Sequence, residues 1–113
     1  MTDKLEAIKD PAKLAHSIVQ RGELWCDCNA AADLLEETKG TLLAKIMKEH
    51  LMSPAWKAEA LSRADMRFEE HLKAMVDARR LANIARVRYD GAKAMGEFIR
   101  SAESTRRAEM QMK

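Results

Sequence analysis

The chain has 113 residues, of which 34% are charged and 47% are apolar, and the aromatic share is only 4%. This balance is typical of long helices and coiled coils rather than of compact enzymes, and it leaves little material for a thick globular core. The net charge is +2, but residues 79–113 contain 9 Lys and Arg against 4 Asp and Glu. We therefore expect a negatively charged partner to be met toward the C-terminus.

No segment is apolar over the length needed to span a bilayer, and the first ten residues lack the basic-then-apolar order of a signal peptide. We therefore expect a cytoplasmic protein that does not enter a membrane. One residue separates Cys26 from Cys28, which on a helix directs their side chains about 200° apart. This separation argues against a disulfide between them on a helix. The sequence predicts no metal site either, because structural zinc needs four ligands. Cys28 is expected to be a small buried apolar residue.

The first predicted helix begins at Pro11 and ends before Gly22. Asp10 is a favourable N-cap, proline is favoured at the first helical position, and glycine is favoured just after a helix. A second helix is predicted from Glu23 to Leu51, with the backbone kinked near Gly22. Its apolar residues follow three-four spacing: Leu24, Cys28, Ala31, Leu35, Leu42 and Ile46.

The third helix is predicted to begin at "SPAW", where Ser53 is a good N-cap and Pro54 a favourable first residue. No proline follows, so the helix is expected to continue to Ala108. The sequence thus predicts one all-α domain, residues 1–113, in which the helices of residues 1–52 fold back on the long helix of residues 53–113. We expect an antiparallel, coiled-coil-like hairpin that turns at Ser53 and Pro54.

A heptad pattern on the third helix predicts the seam that packs against the N-terminal helices. The seam residues are Leu61, Ala64, Phe68, His71, Met75, Ala78, Ala82, Ala85, Tyr89, Ala92, Gly96 and Ile99. Other apolar residues of the helix lie on a different face, and we call them the outer apolar line: Ile84, Val87, Gly91, Met95, Phe98 and Ala102. One partner helix cannot cover both faces, and a two-helix hairpin buries little surface. We therefore expect self-association into a helical bundle, with Ile84, Val87, Met95 and Phe98 at the oligomer interface.

Every seventh residue from 79 to 107 is basic, and we call this set the basic row: Arg79, Arg86, Lys93, Arg100 and Arg107. The row flanks the seam, where charged side chains usually pair with a neighbouring helix. With a turn near residue 53, Arg79 would lie opposite Asp27 and Arg100 opposite Glu6, so we expect part of the row to form ion pairs. The alternative is contact with nucleic-acid phosphates or an acidic partner, which additional arginines support: Arg80, Arg88 and Arg106.

The sequence offers no arrangement of residues suited to catalysis. The three histidines, His16, His50 and His71, are spread over three segments, and His71 is expected to be a packed histidine of the seam. The Glu-x-x-His pattern of di-metal helical bundles is absent. We therefore expect no enzymatic activity, no catalytic or metal-binding residue and no cofactor.

Three stretches are similar to a group of small proteins encoded by bacteriophages and prophages: "LLAKIM", "AEALSRADMRFEEHL" and "RVRYDGAKAMGEFIRSAESTRRAEM". The similarity covers residues 23–110, and its most distinctive element is "RSAESTRRAEM". The group is associated with phage recombination and early-region genes. The resemblance therefore implies the cytoplasm of an infected or lysogenic bacterium, and it supplies no catalytic or ligand-binding residues.

Residues and resemblance together favour an oligomeric helical interaction protein of a phage or prophage, accessory to DNA recombination or replication. Its expected partners are further copies of itself and another phage or host protein. The alternative is a protein that binds nucleic acid directly through the basic face of its C-terminal helix.

Overall fold

The computed structural model describes residues 10–112, and among these no residue lies in a strand. The described residues form three α-helices, which we number α1 (Pro11–Met47), α2 (Ala55–Arg63) and α3 (Met66–Gln111), with a 3-10 helix at Lys48–His50. The predicted all-α class is therefore confirmed. The first nine residues and Lys113 lie outside the described part of the chain.

Helix α1 begins as the sequence predicts. The Oδ1 atom of Asp10 accepts a hydrogen bond from the backbone N–H of Ala12 at 3.0 Å, and Pro11 is the first helical residue. The prediction that Gly22 ends a first helix is wrong, because α1 continues through it to Met47 without a break. A glycine costs a helix only ~1 kcal/mol, which tertiary contacts readily outweigh.

The predicted single helix from Pro54 to Ala108 is wrong, because it is divided into α2 and α3. Helix α2 ends at Arg63, and the Oδ1 atom of Asp65 accepts a hydrogen bond from the backbone N–H of Arg67 at 2.8 Å. An aspartate that caps the backbone in this way favours a new helix start over continuation of the old one. Ser53 does not cap α2, since the N-cap residue is Pro54, without a side-chain hydrogen bond.

The contacts divide the chain into two compact units, each of which we describe separately. The central unit is Asp27–Asn83, and the terminal unit is Met1–Cys26 with Ile84–Lys113. In the central unit, α3 runs antiparallel to α1, since Arg67 contacts Glu49 while the later Arg79 contacts the earlier Asp33. The core of this unit contains Ala32, Ile46, Ala58, Ser62, Phe68 and Ala82.

In the terminal unit, α3 is also antiparallel to α1. A Cβ atom added to Gly22 would lie 3.0 Å from Cε2 of Tyr89, and one added to Gly96 would lie 3.4 Å from Cδ1 of Ile18. The small residues of the predicted seam thus allow the two helix backbones to approach each other closely. Among the described residues of this unit, one is buried: Ala85, with an exposed fraction of 4%.

The predicted seam is correct from Phe68 to Ile99, where every seam residue is buried or half-buried. It is wrong before Phe68, because Leu61 and Ala64 are exposed. They belong to α2 and to the break after it, so the heptad frame of α3 does not extend to them. On α1, Leu24 and Ala31 of the three-four pattern are exposed, while the adjacent Trp25 and Ala32 are half-buried and buried.

Candidate interaction surfaces

The outer apolar line lies on the surface of α3 in the terminal unit. Val87 is 65% exposed, Met95 is 44% exposed and Phe98 is 72% exposed, while Ile84 is half-buried. The seam residues on the other side of the same helix contact α1, so the described residues of the terminal unit leave the line uncovered. Contiguous exposed apolar side chains of this size mark interaction sites in soluble proteins.

Gly91 lies at the middle of the outer apolar line. It is exposed, and a Cβ atom added there would have no neighbouring atom within 4 Å apart from its own helix and adjacent residues. Nothing within the described chain therefore requires glycine at this position. The backbone of α3 is open at this point to close approach from outside.

The first residue of the basic row, Arg79, is held in the central unit by α1. Its guanidinium donates hydrogen bonds to Glu36 Oε1 at 2.9 Å, to Asp33 Oδ1 at 2.7 Å and to Asn29 Oδ1 at 2.8 Å. The hydrogen bonds that Arg79 donates to Glu36 and, to a smaller extent, to Asp33 raise the pKa of Arg79 above its usual value. The side chain of Arg79 is only 32% exposed. The ion-pair interpretation is therefore confirmed at this position.

The expected partner of Arg79 is wrong. The carboxylates that bind it are Asp33 and Glu36, six and nine residues after the predicted Asp27. The prediction assumed a tight turn at Ser53, whereas the connection between α1 and α3 includes a 3-10 helix and α2. The longer connection changes the register between the two helices. The other predicted pair, Arg100 with Glu6, involves a residue outside the described part of the chain.

The rest of the basic row belongs to the terminal unit and is exposed. Among residues 10–112, no carboxylate forms an ion pair with Arg86, Lys93, Arg100 or Arg107. The Nζ atom of Lys93 lies 4.9 Å from the ring centroid of Tyr89, at cation–π distance. The same ring stacks on Trp25 with a centroid distance of 5.7 Å. The residues of the basic row therefore have different contacts, although they are regularly spaced.

A shallow groove in the terminal unit is lined by residues of both α1 and α3. Its lining comprises Ser17, Gln20, Arg21, Leu24, Ala85 and Arg88. The Nε atom of Arg21 donates a hydrogen bond to Ser17 Oγ at 3.3 Å. Within residues 10–112, neither Arg21 nor Arg88 forms an ion pair with a carboxylate. The groove therefore adds positive charge to this unit that the described residues do not neutralise.

A second arginine cluster in the central unit was missed by the sequence analysis. Arg67 donates hydrogen bonds to Asp65 Oδ1 at 3.0 Å and to both carboxylate oxygens of Glu49. These hydrogen bonds lower the pKa of both carboxyl groups, Asp65 and Glu49. The cluster joins the 3-10 helix after α1 to the start of α3, which indicates a structural role. The sequence signal was an aspartate two residues before an arginine at a helix start.

The histidine of the seam is a packed residue, as predicted. Nε2 of His71 lies 2.7 Å from the backbone carbonyl oxygen of Leu35, which can only accept, so this nitrogen carries the proton. Cys28 is half-buried and Cys26 exposed, and both are free thiols. Within the described residues, no group of three or more His, Cys, Asp or Glu side chains is placed to hold a metal ion. No helix of residues 10–112 has both the length and the hydropathy needed to cross a bilayer.

No protein-family model matches the chain, and no curated protein or solved structure matches it either.

Proposed function

We propose that the protein is a self-associating helical interaction protein whose contact surface is the outer apolar line of α3, with Ile84, Val87, Met95 and Phe98 as the contact residues. The observation that supports this most directly is the exposure of Phe98, at 72%, on a helix already packed through its opposite side. Large aromatic side chains are among the residues that contribute most to protein–protein binding.

The small core supports self-association as well. Among residues 10–112, the buried apolar residues are four alanines, Ile46 and Phe68. Burial of an alanine methyl group contributes much less than burial of a leucine or phenylalanine, which stabilises by about 1.5–3 kcal/mol. A chain of this length with so small a core gains stability by burying further apolar surface between copies.

Sedimentation equilibrium of the wild type and of Val87→Glu/Phe98→Glu tests the proposal. We expect the wild type to be oligomeric at tens of micromolar, and the double variant to dissociate while its far-ultraviolet circular dichroism stays helical. Val76→Glu is the matched control, because Val76 is 68% exposed on the same helix but lies outside the line. A monomeric wild type with full helicity, or equal dissociation of both variants, contradicts the proposal.

We further propose that the protein acts in a bacterium infected by or lysogenic for a phage, as an accessory to DNA recombination or replication through another phage or host protein. This part rests on the sequence resemblance of residues 23–110 to phage-encoded proteins. Deletion of the coding region from the phage, followed by measurement of recombination frequency and DNA yield after infection, tests it. Unchanged recombination and replication would contradict this role.

The second candidate function is direct binding of nucleic acid. It is favoured by the exposed basic residues of the terminal unit that pair with no described carboxylate, in particular Arg86, Arg100 and Arg107. Each phosphate contact on a single strand contributes about −0.7 to the slope of log affinity against log salt concentration. Arg79 is already bound by Asp33 and Glu36, so it is not expected to contribute.

Fluorescence anisotropy with labelled single- and double-stranded oligonucleotides separates the two candidates. Direct binding predicts submicromolar affinity at physiological salt that is lost in Arg100→Glu/Arg107→Glu. Lys45→Glu/Lys57→Glu changes the net charge equally in the central unit, and under this candidate it retains most of the affinity. Absence of binding even at low salt excludes the second candidate.

A further inference from the structure

The residues of the outer apolar line are spaced in the same way on both sides of Gly91. Ile84 and Phe98 lie seven residues on either side of Gly91, and Val87 and Met95 lie four residues on either side. All five residues belong to one continuous helix and to one compact unit. An antiparallel second copy of α3 would therefore place the line opposite an identical line.

Such self-matching is the condition for a two-fold symmetric interface. In an isologous dimer, if one residue contacts a second residue of the other copy, the reverse contact occurs as well. With Gly91 on the axis, Ile84 of each copy would meet Phe98 of the other, and Val87 would meet Met95. Each pair then combines a smaller side chain with a larger one, which favours interdigitation over clash.

Gly91, the residue on the axis, is of the type that a close crossing of two helices requires. Two helices approach most closely where neither has a side chain, and glycine is the residue that permits this. The surroundings of Gly91 distinguish it from Gly22, whose missing side chain makes room for Tyr89 of the same chain. At Gly91 the space where a Cβ atom would lie is open, and the residue is exposed. An external occupant therefore explains this glycine better than a neighbour among residues 10–112.

Charge is consistent with a second copy as the occupant. The six residues of the outer apolar line, from Ile84 to Ala102, are all uncharged, and the nearest arginine, Arg88, lies beside them. A polyanion would find no cation there, and an acidic peptide would find its counter-charges only beside the line. An identical apolar surface meets no unpaired charge on it, which avoids the cost of burying one.

We propose that two copies of the chain associate through a two-fold, antiparallel crossing of α3 with α3 at Gly91, which places Ile84 against Phe98 of the second copy. The crossing presupposes the self-association proposed above and specifies its geometry. It predicts that the smallest assembly is a dimer, and that substitution at Gly91 affects association without affecting the fold of the single chain.

Disulfide cross-linking tests this geometry in the full chain, with Cys26→Ser and Cys28→Ala as the background. Gly91→Cys should form a disulfide with itself across the axis, because the two Cα atoms would lie within the ~4.4–6.8 Å that a disulfide allows. Phe98→Cys alone should not, because its two copies would lie about 21 Å apart along the helices at ~1.5 Å per residue. Phe98→Cys mixed with an affinity-tagged Ile84→Cys should give the mixed cross-link.

A second measurement does not depend on the cysteines. Gly91→Leu adds a side chain into space that is open in the single chain, so it should retain full helicity but weaken association at least about tenfold, since overpacking an interface is costly. Gly40→Leu is the matched control, because Gly40 is also exposed with no atom near its absent Cβ. This control should leave association unchanged.

The outcomes separate the geometry from the proposed function. A wild type that sediments as a monomer contradicts both. An oligomer in which Phe98→Cys links to itself, or in which Gly91→Cys does not cross-link and Gly91→Leu associates normally, contradicts the antiparallel crossing while self-association stands.

Discussion

Gly22 of α1 lies directly against the ring of Tyr89 of α3, so closely that a Cβ atom at Gly22 would be 3.0 Å from Cε2 of the ring. The ring cannot easily move away, because it stacks on Trp25 and has the ammonium group of Lys93 over it. The glycine is therefore required by contact between two helices and not by the end of a helix.

Gly22→Ala is expected to destabilise the fold even though alanine is the better helix former. The gain in helix propensity is about 1 kcal/mol, whereas crowding in a packed contact costs about 1–3 kcal/mol. Urea denaturation followed by circular dichroism measures the difference. Gly40→Ala in the same helix is the control, and it should stabilise by up to about 1 kcal/mol, because nothing lies within 4 Å of its absent Cβ. Equal effects of the two substitutions would contradict this assignment.

Phe68→Ala should be the more damaging of the two phenylalanine substitutions. Phe68 is 2% exposed and is the largest fully buried side chain among the described residues, so its truncation should cost about 3–5 kcal/mol in unfolding free energy. Phe98 is 72% exposed, and Phe98→Ala should change the stability of the dissociated chain by less than about 0.5 kcal/mol. Denaturation at low protein concentration tests both. A large loss with Phe98→Ala under these conditions would mean that Phe98 packs within its own chain.

The Arg67 cluster predicts that stability decreases in acid. Its hydrogen bonds hold the pKa of Glu49 and Asp65 below their usual values of 4.5 and 3.8. A carboxyl group whose pKa is lower in the folded state stabilises the fold above its unfolded pKa, and this contribution is lost as the pH falls through the folded pKa. The melting temperature of Arg67→Gln should therefore lie below that of the wild type at neutral pH, and the difference should shrink as the pH falls through the lowered pKa values of Glu49 and Asp65.

The matched control for this prediction is Arg80→Gln, because Arg80 is exposed on the same helix and pairs with no described carboxylate. Its melting temperature should follow that of the wild type at every pH. If Arg67→Gln lowered the melting temperature by the same amount at neutral and acid pH, the effect would come from packing and not from the ion pairs.

A charge exchange between Arg79 and Glu36 tests the observed register of the central unit. Arg79→Glu and Glu36→Arg should each lower the melting temperature, because each places like charges in contact. The double variant should recover part of the loss, since it restores opposite charges across the same contact. Arg79→Glu combined with Asp27→Arg is the control, and it should show no recovery. Recovery with Asp27 instead of Glu36 would mean that the register differs by nine residues.

Three features that depend on neighbours in sequence were predicted correctly. The Asp10 cap is local, since its carboxylate reaches the backbone of Ala12. The seam from Phe68 to Ile99 follows from helical periodicity, which repeats within two turns. The exposure of Val87 and Phe98 follows from the same periodicity, because a helix that packs through one side leaves the other to solvent.

What the sequence alone determined is therefore the helical class, the start of α1 and the faces of α3, all of which result from short-range stereochemistry. Only the tertiary structure decided the role of Gly22 and the binding of Arg79 to Asp33 and Glu36. The break before α3 has a local signal in the sequence, the Asp65 cap, which the periodicity of the apolar residues did not reveal. The register between antiparallel helices depends on the path of their connection and on the sum of many distant contacts. A glycine after a helix and a glycine beneath a tyrosine ring look the same in sequence. They differ only in what the folded chain places beside them.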